Sequence, residues 1–459
     1  MHFLSSPTVR WDKPFFRKLM MICLPIVIQN LMAASLHIID GVMIGQLGDA
    51  PYAAVTQASR YVFVFQLFVF GAGSGCGIFF SQHWGTKDVS AMRRVMGLCL
   101  RIGLTLAVLF GGVALLFPET VMGIFLPRGD SFHYAVQYLL IVAPGFLITA
   151  VDTVYATCMK SAGQTVIPMV AGVVSILTNT LLNWVLIYGN LGAPALGVQG
   201  AAIATVIAAG VSLAVNMGCS YGMKLPSAFR WRDWKLPDRA YMKRFVSTVA
   251  PVVANEGLWS MGMSMYSVFY GRLGDAAVAA IGIVNMVDQL IFTMIYGIMN
   301  ATAILVGNCL GAGDKEGARL TARRMIFASV VVGAVMCVIQ LAVKGPLIGV
   351  FRVSAEAKAL AGIILTISAF TIWIRAINSI NVVGVLRAGG DTVFSMLLDT
   401  AALWLVGVPL VGLAALAFHW PIYLCYACTV VEEVIKMLIG LPRFRSGKWM
   451  NDLNRRAEA

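Results

Sequence analysis

Ionisable side chains stand inside long apolar stretches of this 459-residue sequence. A charged group near the middle of a membrane helix costs about 2.5–3.5 kcal/mol, so such residues usually face a cavity or a partner. The pattern therefore predicts polar sites in the interior of a membrane protein. The residues concerned are Asp40, Arg60, Asp152, Glu256, Asp288, Arg375 and Asp399.

Asp40 is expected to have polar neighbours from two other helices. At a rise of 1.5 Å per residue, Asp40 lies near the outer third of its helix, and Asn179, Asn183 and Thr205 reach a similar depth. Asn179 and Asn183 are one turn apart and share a face. One carboxylate among amide and hydroxyl oxygens suits a proton, which burial favours, or Na⁺, which takes oxygen ligands. The four residues predict a cation site; hydrogen bonding between packed helices is the alternative.

Charged and polar residues of the second half supply further candidates. Glu256 could bind a cation or proton, or line a substrate cavity. Arg60 and Arg375 are expected either to be counter-ions for the acids or to attract anionic groups of a substrate. Together with Asp288 and Asn378, they are the substrate-cavity candidates.

The last apolar stretch contains a short charged segment near its end. Lys436 follows Glu432 by one helical turn, and Glu433 is adjacent. This spacing favours an interfacial face with salt bridges.

The sequence lacks the familiar motifs of enzymes and metal sites. Its five histidines have no paired ligand spacing, and the Cys425-x-x-Cys428 pair lies in an apolar run with no second pair. The glycine-rich string 71–77 is not followed by Lys-Ser/Thr, as a phosphate loop would require. We therefore expect no enzyme activity and no cofactor, only a coupling ion, H⁺ or Na⁺.

The elements that position these residues are long apolar helices. Hydrophobic residues make up 59% of the chain, charged residues only 12%, and the mean hydropathy is +0.82. A membrane helix needs about 20 mostly apolar residues, and the runs are too long and continuous for a membrane barrel. We predict an all-α integral membrane protein with twelve transmembrane helices, at 16–44, 52–82, 94–117, 134–159, 164–189, 195–221, 244–271, 277–308, 321–344, 357–386, 392–414 and 418–441.

Lysine and arginine collect in the links on one side of this arrangement. They are dense in the N-terminal tail, in alternate links and in the C-terminal tail, which includes Arg455 and Arg456. By the positive-inside rule, both termini are expected in the cytoplasm of a multi-pass protein in the cell inner membrane. The net charge of +13 is then explained by topology and contact with lipid headgroups, so no nucleic-acid partner is expected.

The chain contains an internal repeat. An offset of 226 residues aligns Gly45-Gln-Leu-Gly-Asp-Ala50 with Gly271-Arg-Leu-Gly-Asp-Ala276, and Pro25 with Pro251. The offset spans six helices, an even number, so the copies have the same orientation and a cavity is expected between two lobes. The predicted segments are an N-terminal six-helix lobe (1–222), a cytoplasmic linker (223–243), a C-terminal six-helix lobe (244–441) and a basic cytoplasmic tail (442–459).

Several stretches resemble the multidrug and toxic compound extrusion (MATE) transporters, whose superfamily includes flippases of lipid-linked sugars. The resemblance covers nearly the whole chain and is carried by segments 39–48, 159–165, 179–189, 196–205 and 386–392. It implies two pseudo-symmetric lobes and export of organic, often cationic or amphipathic compounds, driven by H⁺ or Na⁺. It also implies a cation site with Asp40, Asn179 and Thr205 in the first lobe, and Glu256 in the second.

Two positions depart from the family pattern. Asn183 stands where the fifth helix often carries a carboxylate, which weakens the case for Na⁺ in the first lobe. Arg375 and Asn378 occupy a region of the tenth helix where one branch has an aspartate, which weakens the case for a Na⁺ site in the second lobe and for a preference for cations. The chain therefore resembles an atypical, bacterial-type member of the family. The sequence therefore predicts a monomeric, cation-coupled antiporter with a small-molecule substrate, and the alternative is a flippase or exporter of an anionic or lipid-linked substrate that Arg60 and Arg375 would bind.

Overall fold

The computed structural model describes residues 12–351 and 353–453. Four basic residues that bear on the predicted orientation, Arg10, Arg352, Arg455 and Arg456, lie outside these ranges, as do residues 454–459 of the predicted basic tail. The described secondary structure is helical throughout.

Twelve long helical segments account for the predicted spans. Two of them are interrupted: the fourth consists of the pair α5 and α6, and the eleventh contains α13 and α14. The helices are α1 (Lys13–Gly45), α2 (Asp49–Gly85), α3 (Val89–Leu116), α4 (Pro118–Gly123), α5 (Asp130–Val142), α6 (Gly145–Ser161), α7 (Val166–Tyr188), α8 (Val198–Gly222), α9 (Arg239–Gly271), α10 (Asp275–Gly311), α11 (Lys315–Val350), α12 (Ala355–Ser379), α13 (Thr392–Ala401), α14 (Val408–Gly412) and α15 (Ile422–Ser446).

Length and composition agree with a membrane location for most of these segments. Within the described ranges, nine helical segments are long and apolar enough to cross a bilayer, and the pair α5–α6, bent by 51°, makes a tenth. The two remaining long helices, α9 and α15, carry polar residues such as Glu256 and Lys436 within their apolar runs. Both of these residues belong to polar clusters described below.

The chain divides into two compact units. The N-terminal unit comprises Leu24–Lys243, and the C-terminal unit comprises Met1–Cys23 with Arg244–Ala459. The core of the N-terminal unit contains stacked aromatic rings, with the centroids of Phe65 and Phe146 4.3 Å apart. The core of the C-terminal unit is built from α9, α10, α12 and the helices after it.

The repeat is visible in local geometry. Gly48 and Gly274, which the offset aligns, have φ values of 110° and 100° with extended ψ, a conformation that only glycine adopts readily. Asp88 and Asp314, aligned by the same offset, both cap a following helix: their Oδ1 atoms accept the backbone N–H of Ala91 at 2.9 Å and of Gly317 at 2.7 Å. The two copies therefore form the same turns at the same places.

Three π-helical segments interrupt the C-terminal unit. They cover Ile380–Arg387, Ala402–Gly407 and Leu413–Ala417. A π-helical turn shifts the direction of the following side chains and is frequent at functional sites. Two of these segments border the charged clusters of this unit.

Candidate functional site

Asp40 lies against α7 in the N-terminal unit. Asn183 donates its amide N–H to Asp40 Oδ1 at 2.7 Å, and the same nitrogen lies 3.0 Å from Asn179 Oδ1. Asn179 and Asn183 are almost fully buried, whereas Asp40 is partly buried. The structure thus brings together three of the four residues predicted for the cation site.

Two contacts between α1 and α7 hold Asp40 at this position. Near the C-terminal end of α1, the Tyr188 hydroxyl donates to the Met43 carbonyl at 2.8 Å. Nearer the N-terminus of α1, the Gln29 amide nitrogen lies 3.3 Å from the Pro168 carbonyl oxygen. These contacts lie on either side of Asp40 along the helix, so they fix both its depth and its direction.

Thr205, the fourth predicted residue, forms no hydrogen bond with Asp40 in the described part of the chain. Its hydroxyl donates to the Ala201 carbonyl at 2.9 Å, one turn earlier in α8. Buried Tyr138 on α5 lies close to Thr205 and within electrostatic range of Asp40. Tyr138 was missed in the sequence, where no spacing links α5 to Asp40.

The oxygen atoms around Asp40 could accept a cation or a proton. The Asp40 carboxylate makes no ion pair with a basic side chain in the described part of the chain. Asn183 Oδ1 is buried without a hydrogen-bond partner. A carboxylate held only by neutral groups has no ion pair to break before it binds a cation or a proton.

Glu256, by contrast, is neutralised by an ion pair. Arg387 Nη1 lies 2.8 Å from Glu256 Oε1, and the two side chains are 3% and 12% exposed. Neither Arg60 nor Arg375 is therefore the counter-ion of Glu256. Arg387 was not among the predicted site residues, although a shift of one residue from the 226-residue offset aligns it with Lys160 and so places a cation at the same point of both halves.

Asp288 and Arg375 form a second ion pair of the C-terminal unit. Their charged atoms are 2.8 Å apart, and the guanidinium group lies over the ring of Phe292. Ser368 donates to Asp288 Oδ1 at 2.7 Å, and Tyr426 lies 3.3 Å from Oδ2. This extensive hydrogen bonding favours a structural role for a pair that was predicted to line a substrate cavity.

The charged segment of α15 differs from its prediction. Its salt bridges form, but Lys436 and Glu432 are only 4% and 5% exposed, so the predicted interfacial face was wrong. Lys436 also pairs with Asp399 of α13 at 2.9 Å, and Asn378 donates to Glu433 Oε2 at 2.7 Å. The sequence gives the spacing along α15 but not which face of the helix packs inward.

Arg60 and Asp152 remain as separate features of the N-terminal unit. Arg60 is exposed on α2 and has no ion pair with a described residue. Asp152 accepts hydrogen bonds from Ser212 at 2.8 Å and Asn216 at 2.7 Å. The structure therefore brings neither of them into the Asp40 cluster.

The comparisons with known proteins agree on one family. The family model MatE matches residues 25–185 and again residues 251–413. The multidrug resistance protein PmpM of Pseudomonas aeruginosa is 25% identical over 397 residues, which are 86% of this chain and 82% of that protein. The probable multidrug resistance protein YoeA of Bacillus subtilis is 24% identical over 408 residues, 88% of each chain.

A solved structure shows the same fold. An Asp-to-Asn mutant of the Vibrio cholerae MATE transporter VcmN superposes with a TM-score of 0.86 at 19% identity, over 95% of this chain and 98% of that one. The two stretches matched by the family model begin at Pro25 and Pro251, the residues that the offset aligns. The predicted fold class and the internal repeat are therefore confirmed.

Proposed function

Because the chain belongs to the MatE family of multidrug efflux transporters, we propose that it is an antiporter that exports organic compounds in exchange for a cation bound at Asp40. The observation that carries this proposal is the partnership of Asp40 with neutral groups. Glu256 and Asp288 are each neutralised by an arginine. Asp40 has an amide donor instead, so its carboxylate can bind and release a cation without first breaking an ion pair.

The orientation of the Asn183 amide favours a proton over Na⁺ as the coupling ion. Its nitrogen faces Asp40 and is also 3.0 Å from Asn179 Oδ1. To bind Na⁺ beside Asp40, the amide would have to turn so that its oxygen faces the ion. Its nitrogen would then lose both acceptors, Asp40 Oδ1 and Asn179 Oδ1. A proton can be added to the second carboxylate oxygen with the amide in place.

Proton binding changes what Asp40 offers to α7. The ionised carboxylate only accepts hydrogen bonds, whereas the neutral carboxyl group also donates one. Protonation therefore weakens the charge-assisted bond from Asn183 and shifts the preferred packing of α1 against α7. We propose that this shift favours release of the exported compound and that the loss of the proton inside the cell resets the transporter.

The proposed cargo is an organic cation or an amphipathic compound. A cation and a proton compete for the same negative charge, so exchange of one for the other follows from electrostatics. The name of the relative PmpM, a multidrug resistance protein, supports this class of cargo. When the exported compound is neutral, each proton that enters with a membrane potential supplies about 2.3 kcal/mol per 100 mV. When one proton is exchanged for one monovalent cation, no net charge moves, and the proton concentration gradient drives the exchange.

Exposed Arg60 supports the alternative of an anionic or lipid-linked substrate. It is a cation with no described counter-ion, whereas Arg375 is already paired with Asp288. If the alternative holds, Arg60→Ala abolishes transport of an anionic amphiphile and leaves export of a cationic dye unchanged.

Purified protein in liposomes tests the proposal with ethidium as the transported cation. A pH gradient and a Na⁺ gradient are imposed separately, and dye movement is followed by fluorescence. We expect the pH gradient to drive exchange and Asp40→Asn to abolish it, whereas Asp130→Asn, at an exposed acid near the start of α5, transports normally. Wild-type exchange by Asp40→Asn under the pH gradient would refute a coupling role for Asp40, and exchange driven only by Na⁺ would replace the proton by Na⁺.

A further inference from the structure

A groove of about 600 Å³ lies between α12 and α15 in the C-terminal unit. Its two walls are segments 366–371 and 427–435, and the side chains that line it are apolar except for two threonines. Phe370 and Val431 of these walls are 60% and 45% exposed. The groove is therefore an open apolar surface on helices that belong to the predicted transmembrane spans.

The two threonine hydroxyl groups of the groove bond to their own helix. Thr366 donates to the Gly362 carbonyl at 2.7 Å, and Thr371 Oγ1 lies 3.0 Å from the carbonyl oxygens of Ile367 and Ser368. Since these hydroxyls use their hydrogen atoms on backbone carbonyls, the lining residues that the structure describes offer a ligand no donor. A polar compound would give up its water there without replacing the hydrogen bonds, so the lining suits a hydrocarbon chain.

A basic side chain stands at one end of the groove. Lys344 of α11 donates to Thr366 Oγ1 at 2.7 Å. A lysine ammonium group has three N–H donors, and Lys344 makes neither an ion pair nor a second hydrogen bond with the residues that the structure describes. Two donors and the positive charge are therefore available to an anion beside the groove.

Lys344 lies at the depth of lipid headgroups. Segment 325–343 of α11, between Arg324 and Lys344, has no charged residue and rises about 30 Å, which is the thickness of the hydrocarbon core of a bilayer. The two basic residues thus mark the two borders of this core. Because the short link 351–354 joins α11 to α12, the two helices are antiparallel neighbours. Segment 366–371 therefore leads from Lys344 toward the centre of the bilayer.

We propose that the groove binds one anionic phospholipid, with the phosphate at Lys344 and an acyl chain between α12 and α15. The wall 427–435 extends about 12 Å along its helix, close to the hydrocarbon depth of about 15 Å in one leaflet. The basic group and the apolar groove thus follow each other in the order in which a lipid presents its headgroup and its chain. A zwitterionic lipid carries a cation of its own beside the phosphate and gains less from Lys344.

A photoreactive lipid tests the location of the site. Purified full-length protein in detergent micelles is titrated with phosphatidylglycerol that has a diazirine in one acyl chain, and the labelled peptides are identified by mass spectrometry after illumination. We expect saturable labelling of segments 366–371 and 427–435. Phosphatidylcholine with the same chains should displace the probe less well than unlabelled phosphatidylglycerol does.

Substitutions at the two ends of the site test the headgroup and the chain separately. Lys344→Gln should weaken the binding of phosphatidylglycerol about fivefold, the effect of one lysine near a lipid surface, and Lys344→Arg should restore it. Arg272→Gln, at an exposed basic residue directly after α9, removes the same charge at the same end of the helices and should bind as wild type does. Ala427→Leu, which narrows the groove, should weaken the binding of both lipids.

Saturable labelling outside the two segments would overturn the proposal, and so would equal weakening in Lys344→Gln and Arg272→Gln. Displacement of the probe by glycerol phosphate, which has the charge without the chain, would replace the lipid by a small anion. Displacement by ethidium would instead make the groove part of the export path. Asp40→Asn should bind the lipid as wild type does, so a failure of the proposed coupling at Asp40 leaves the lipid site standing.

Discussion

Arg387→Met removes the positive charge from the buried pair with Glu256. The two charged atoms are 2.8 Å apart, and Arg387 is only 3% exposed. At an effective dielectric constant of about 20, two unit charges at this distance attract by roughly 6 kcal/mol. Desolvation of both ions offsets part of that energy, and breaking such a buried pair costs about 3–5 kcal/mol. We expect Arg387→Met to lower the free energy of unfolding by this amount.

The double variant Arg387→Met/Glu256→Gln distinguishes a lost ion pair from lost packing. With both charges gone, no ion is left unpaired, so we expect its stability to be within about 1–2 kcal/mol of wild type. Unfolding of the full-length protein in mixed micelles, titrated with a denaturing detergent, measures the four members of the cycle. The exposed pair Arg319 and Glu316, 3.5 Å apart, provides the control cycle, with an expected coupling of about 0.3–0.5 kcal/mol. A coupling at Arg387 and Glu256 no larger than in the control would refute the argument.

Two further predictions concern the turns of the repeat and use the same unfolding measurement. Gly274→Ala should lower the free energy of unfolding by about 1–3 kcal/mol because alanine is strained at φ 100°. The control Gly282→Ala, in open space within α10, should leave the free energy of unfolding unchanged or raise it by up to about 1 kcal/mol. Equal effects of the two substitutions would contradict the strain at Gly274. Burial alone raises the pKa of Asp88, but hydrogen bonds from the Ala91 N–H and the Ser90 hydroxyl outweigh it and lower the pKa. The cap therefore stabilises the fold above about pH 4 and loses this effect as the pH falls further. We expect Asp88→Ala to lower the free energy of unfolding by about 0.5–2 kcal/mol at pH 7 and by less toward pH 3. A difference that stays constant over this range would contradict the prediction.

The helical segments could be predicted because each needs only a long apolar run. The turns between them were also visible, since the sequence around Gly48 recurs around Gly274 and both glycines adopt the same rare conformation. The bend of 51° between α5 and α6 and the π-helical segments were not predicted. Both depend on how neighbouring helices pack, which the period of apolar residues does not record.

The polar sites show the same division between local and tertiary information. Asn179 and Asn183 could be placed near Asp40 because spacing and depth are properties of single helices. The partners of Glu256 and Lys436 required knowledge of which helix faces meet, so Arg387 was missed and the α15 segment was placed at an interface. The alignment of Arg387 with Lys160 was the one signal in the sequence that a cation belongs at this point.

The two halves of the repeat have diverged in how their carboxylates are partnered, and under the proposed coupling this difference gives the halves different tasks. A coupling carboxylate must gain and lose its cation in every cycle, so the free energy of any competing ion pair would be added to each step. Asp40, with an amide partner, avoids that cost of several kcal/mol, whereas Glu256 would have to break its pair with Arg387. Tyr266 stands at the repeat position of Asp40 and donates to Glu432, a carboxylate held beside Lys436. Under the proposed coupling, the N-terminal unit therefore exchanges the cation in each cycle, while the carboxylates of the C-terminal unit stay paired with their basic partners.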